Sequence, residues 1–154
     1  MNVNWLKTPA LALMSALALS APVVAETSGT ATQKEGTMTK IEFIFGEDRL
    51  SATLDDTAAG RDFAAMLPLE LTLTDYHGVE KVADLPRKLD TTGAPASYKP
   101  ETGDITLYAP WGNLAIFYKP FQNSRGLVRL GAFDGDIAPL VRSAPYTVRL
   151  EIAD

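Results

Sequence analysis

Cysteine is absent from all 154 residues. No disulfide can brace this chain, and no thiol can act as nucleophile, metal ligand or lipid attachment point. Histidine occurs once, at His77, too little for a histidine-rich metal site or a serine triad. Ser51, Ser97, Ser124 and Ser143 also stand in no Gly-x-Ser-x-Gly setting. A basic excess is missing as well. The 14 Lys and Arg face 19 Asp and Glu, a net charge of −5, which repels phosphate backbones and argues against nucleic-acid partners. No glycine loop of the phosphate-cradling kind occurs. No apolar run reaches the roughly 20 residues that a membrane-spanning helix needs.

What the N-terminus does contain is an export pattern. Lys7 precedes the apolar stretch Ala10 to Leu19, then Ser20-Ala21-Pro22 interrupts it, and Val23-Val24-Ala25 offers the small residues of a cleavage site. We expect residues 1–25 to be a signal peptide and the protein to be periplasmic or secreted, without membrane attachment after cleavage. An uncleaved anchor is the competing reading, disfavoured by the shortness of the run. Cleavage removes Lys7 and no acid, so 14 basic residues become 13 against 19 acidic ones, net −6. Residues 26–37 are small and polar and read as a flexible leader. Residues 38–154 then make one domain of ordinary size, stabilised by an apolar core alone.

Within that domain the prevailing period is two. Ile41, Phe43 and Phe45 mark a strand that turns at Gly46-Glu47-Asp48 into a second. Asp55-Asp56-Thr57 offers caps for a helix over Ala58 to Leu67, stopped by Pro68 and expected to plug a barrel end. Leu69, Leu71 and Leu73 alternate with polar residues in another strand. Residues 75–100 look irregular, with turns at His77-Gly78, Leu85-Pro86 and Thr92 to Pro95. Connections of that length often carry function. Strands are expected over 104–109, 113–119, 127–133 and 146–152, and one helical turn near Ile137 to Arg142. The run Asn113 to Lys119 is almost continuously apolar, as in a strand buried on both faces. Seven or eight short strands with one or two short helices indicate a mainly β fold, a closed barrel.

A series of short motifs in fixed order sharpens this. Pro68-Leu69, Glu80-Lys81, Gly103-Asp104, Ala109-Pro110-Trp111-Gly112-Asn113 and Gly126 with Leu130-Gly131 resemble the bacterial cyclophilin-like domain family. The resemblance covers about Ile41 to Ile152 and implies a closed cyclophilin-like β-barrel of unassigned function. Prolyl isomerase activity does not carry over with it. True cyclophilins present a Phe-His-Arg segment and a Phe-Met-x-Gln-x-Gly-Asp run. Here Pro100-Glu101-Thr102 precedes Gly103-Asp104, and no Phe-His-Arg occurs.

Candidate ligand-binding residues gather around residues 103–133. Trp111 is either an apolar wall for a ligand or a turn residue capping the core. Asn113 belongs to the same turn. Tyr108, Phe117, Tyr118 and Phe121 form an aromatic set in which Phe117 and Tyr118 must face opposite ways, so only one points into the barrel. Pockets are lined with such groups, as are cores. Arg129 would anchor an anionic or carbonyl ligand if it pointed inward, but alternation with Val128 and Leu130 favours exposure. His77 reads as a solvated turn residue, and Asp134-Gly135-Asp136 as a turn without the further ligands of a calcium loop. Glu70 and Glu80 have no predicted partner. No catalytic residue, metal or cofactor is expected. The expected role is a non-catalytic module binding a small molecule or peptide at the barrel mouth, edged by Tyr108, Trp111 and the 75–100 connection. The alternatives are an isomerase-type folding factor of the cell envelope and a scaffold for protein–protein interaction.

Overall fold

The structure, a computed structural model, describes residues 36–142 and 145–154. The expected signal peptide, most of the leader, and Ser143 lie outside the described residues. Ten strands are present: β1 Thr39–Phe45, β2 Asp48–Leu54, β3 Leu69–Tyr76, β4 Glu80–Asp84, β5 Ser97–Tyr98, β6 Asp104–Tyr108, β7 Asn113–Phe117, β8 Ser124–Arg125, β9 Leu127–Phe133 and β10 Tyr146–Ile152. One helix, α1 Ala58–Ala64, and a 3-10 turn at Ala138–Leu140 complete the set. No helix among the described residues is long and apolar enough to cross a membrane.

Eight antiparallel strands close into a barrel in the order β1-β10-β3-β4-β7-β6-β9-β2, and β5 with β8 forms a separate two-stranded ribbon. Alternation sends Ile41, Phe43, Leu71, Leu73, Val148 and Leu150 into the interior. The Gly46-Glu47 turn joins Phe45 to its cross-strand partner Asp48, with Gly46 at a φ of 65° that suits a residue without Cβ. The Thr57 hydroxyl accepts from the Gly60 amide at 3.0 Å and caps α1, worth about 1 kcal/mol. The helix packs against β1, β2 and β9 and drives Phe63 into the main core, closing that end of the barrel.

The 75–100 expectation needs correction. β3 runs on to Tyr76, a turn at His77-Gly78 follows, and β4 occupies Glu80 to Asp84 in the middle of the barrel wall. What stays irregular is the stretch from Leu85 to Ala96 and the two residues Lys99 and Pro100. β4 is hidden in the sequence because its pattern is inverted: Lys81 and Ala83 face inward while Val82 faces out. The Lys81 side chain is 2% exposed and pairs with Asp75 at 3.1 Å. It also donates to the Arg142 carbonyl and lies 5.4 Å from the Tyr118 ring centroid. This polar cluster closes the barrel end opposite α1.

β7 is buried throughout, as expected, and two different cores account for it. Leu114 and Ile116 enter the barrel, whereas Ala115 and Phe117 join Leu127, Val82, Tyr98 and Tyr108 in a second cluster on the outer wall. Phe117 therefore points out of the barrel. Tyr118 packs against the main core instead, its hydroxyl donating to Asp75 at 2.5 Å.

Candidate functional site

The second cluster forms the floor of a cleft of about 870 Å³, within the size range of small-molecule sites. Strand register lays out that floor. Directly paired residues share a face, so three rows cross the outer wall. Tyr76, Glu80 and Phe117 make the first; Thr74, Val82, Ala115 and Thr106 the second. The third is Asp84, Asn113, Tyr108 and Leu127. The loop Phe121 to Arg125 walls one flank, with Phe121 stacked on Phe117 at 6.1 Å between centroids. The cleft thus lies on the outer barrel wall. It does not open at a barrel mouth, where Phe63 and the Lys81 cluster are packed.

Of the expected site residues, four line this cleft and one does not. Tyr108, Trp111, Asn113 and Phe117 are together. Arg129 is elsewhere, half-buried, and committed to ion pairs with Asp55 and with Asp104, the latter at 3.4 Å. Those pairs hold its pKa above the ordinary arginine value against the opposing effect of burial. Asp104 in turn accepts from the Tyr98 hydroxyl at 2.7 Å and the Glu101 amide at 2.8 Å, so the Gly103-Asp104 motif serves the β5 ribbon. Tyr76, Glu80 and Asp84 line the cleft from within the 75–100 stretch expected to edge the site, though none was singled out there as a site residue, and Arg125 lines it unforeseen.

Trp111 is 67% exposed and so caps no core. It meets Tyr108 edge-on at 5.3 Å and Tyr76 edge-on at 6.1 Å. Tyr76 springs from the first row and Trp111 from the turn beyond the third, so these two rings bridge the cleft lengthwise.

Two polar groups in the cleft are unusual. Asn113 is 7% exposed, and its Nδ2 donates to the Leu114 carbonyl at 3.3 Å, which fixes the amide orientation. Its Oδ1 is buried without any hydrogen-bond partner among the described residues, a defect costing about 1–3 kcal/mol. Glu80 is half-buried, and burial pushes its carboxyl up to about 7. Its proton is retained in the folded chain between the ordinary carboxylate pKa and about 7, where the unfolded chain has lost it. Glu80 therefore supports folding fully below the ordinary carboxylate range, and that contribution fades as pH rises through about 7. Glu80→Gln, which mimics the neutral acid, should be more stable than wild type at pH 8 and indistinguishable at pH 4. Urea midpoints at the two pH values read this; a constant difference would show that Glu80 titrates normally.

The sequence model of the cyclophilin-like family matches residues 43–153. Among curated proteins there is no match. A solution structure of a hypothetical protein from Archaeoglobus fulgidus superposes with a TM-score of 0.60 at 15% identity, covering 79% of this chain and 99% of that one. At that identity the likeness concerns the fold.

Proposed function

The chain belongs to the cyclophilin-like family, and from that premise we propose that it is an exported, non-catalytic module whose outer-wall cleft binds a small molecule or short peptide. One observation carries the reading. Among the described residues, Tyr76, Trp111 and Phe121 are large rings left exposed, and all three border the same concave site. Soluble domains seldom leave apolar surface so gathered unless something covers it. A concave site of this size also weighs against a scaffold acting through a flat surface.

The isomerase reading fares less well. Twisting a prolyl amide requires a guanidinium beside it. The cleft's one guanidinium, on Arg125, stands in the flanking loop, the strands beneath carry carboxyl groups at Glu80 and Asp84, and Arg129 is held by two aspartates. With an uncatalysed barrier near 20 kcal/mol, an assay on a short prolyl peptide has ample range, and no acceleration is expected. Acceleration abolished by Arg125→Ala would favour the folding-factor reading.

Native mass spectrometry of protein from an envelope extract tests both export and binding. The expected species begins at Glu26 and carries a bound mass that a Trp111→Ala/Phe121→Ala variant lacks. Both rings are exposed, so the variant keeps its core. A full-length species confined to membranes would overturn export. A wild-type chain as empty as the variant would overturn binding.

A further inference from the structure

We propose that the Asn113 end of the cleft takes a protonated amine, an ammonium or guanidinium group carried on an apolar or aromatic body; this rests on the cleft being a binding site. Four observations converge there. The Asn113 Oδ1 is an acceptor without a donor, and its orientation is set by the bond from Nδ2 to Leu114. Asp84 is its direct cross-strand partner, so both side chains rise from the same face. The Asp84 carboxylate is exposed on the cleft wall and, among the described residues, makes no ion pair or side-chain hydrogen bond. Beside them stand the rings of Tyr108 and Trp111, whose faces attract cations.

An unpartnered amide oxygen, a carboxylate and two aromatic rings describe a receptor for N–H groups bearing positive charge. Oδ1 itself is sealed from solvent. A donor reaches it only when a neighbouring side chain turns aside, and Trp111 is the most exposed ring at this end.

The rest of the cleft fits such a ligand. Val82 and Ala115 give the middle row an apolar floor. Glu80 lies four residues along β4 from Asp84, roughly 13 Å away, so the charged head and the tail of a drug-sized molecule occupy different rows. The one guanidinium of the cleft, on Arg125, belongs to β8 of the two-stranded ribbon, whereas Asp84 and Asn113 sit on the neighbouring barrel strands β4 and β7.

The test is an NMR titration of the ¹⁵N-labelled full chain with phenethylammonium, 3-phenylpropan-1-ol and 3-phenylpropanoate. Phenethylammonium should shift the Asn113 side-chain amide and Trp111 indole signals, saturating at least tenfold earlier than the alcohol. The carboxylate should leave both signals in place. Asp84→Asn, an exposed substitution that spares the core, should weaken the ammonium about tenfold and leave the alcohol unchanged. Equal binding of all three probes, or preference for the carboxylate, would overturn the amine assignment while sparing the cleft as a binding site. No shift from any probe would overturn both.

Discussion

Gly131→Ala should cost about 3 kcal/mol or more, a large effect for a single methyl. Gly131 lies on β9 opposite Leu54 of β2, at the seam where the barrel closes. A Cβ there would stand 2.2 Å from the Thr53 carbonyl oxygen and 2.8 Å from the Leu54 Cα. Both are backbone atoms, so no side-chain rotation relieves the clash and the strands themselves must part. The seam has little to spare, because only Ala52, Thr53 and Leu54 pair with β9. The Asp55 and Asp134 amides extend it, donating to Leu130 and Ser51 carbonyls at 2.8 and 2.9 Å. Urea unfolding should show the loss, and hydrogen exchange should show these two amides deprotected first. Gly135→Ala is the control, since nothing lies within 4 Å of its Cβ position and the cost should stay within about 0.5 kcal/mol. Equal midpoints for the two variants would show that the seam tolerates a wider spacing.

Asp75→Asn should destabilise the chain by about 3–5 kcal/mol, and Lys81→Met by only about 1. The asymmetry follows from burial. The Lys81 side chain is 2% exposed and that of Asp75 33% exposed. Removing the aspartate charge strands an ammonium in the barrel, with the Arg142 carbonyl and the rings of Tyr118 and Tyr146 as its remaining company. Removing the ammonium leaves a carboxylate that still reaches water and still accepts from the Tyr118 hydroxyl and the Gly78 amide. Those bonds are also what hold its pKa down, the Tyr118 bond first. Met fills the volume of the lysine stem, so little cavity opens. Paired urea curves at pH 7 decide it, and a larger loss for Lys81→Met would mean that packing of the stem outweighs its charge.

β1, β10 and the Leu69 to Leu73 part of β3 were legible from their alternation, because one face of each meets the barrel core and the other meets water. β4 was not, because its outward Val82 joins the second cluster and its inward Lys81 is neutralised by Asp75. The same inversion hid Glu80 and Asp84 as cleft residues. The aromatic pair at 117 and 118 was recognised as divided between two faces, but the direction could not be assigned, since both faces of β7 are apolar. Arg129 looked available in the sequence, and only the approach of Asp55 and Asp104 from distant segments removes it.

By itself the sequence determined the class of molecule: a mainly β, disulfide-free, acidic domain with a cyclophilin-like motif series and an aromatic hairpin around Trp111. Local alternation and turn chemistry carry that information, because each strand reports its own burial. The tertiary structure alone decided where the cleft lies. The cleft is built from outward-facing residues of β3, β4, β6 and β7 and a loop that folds over them. Which side chains share that wall is set by register across four strands. The unpartnered Asn113 oxygen and the raised Glu80 pKa exist only because neighbours distant in sequence seal them from water.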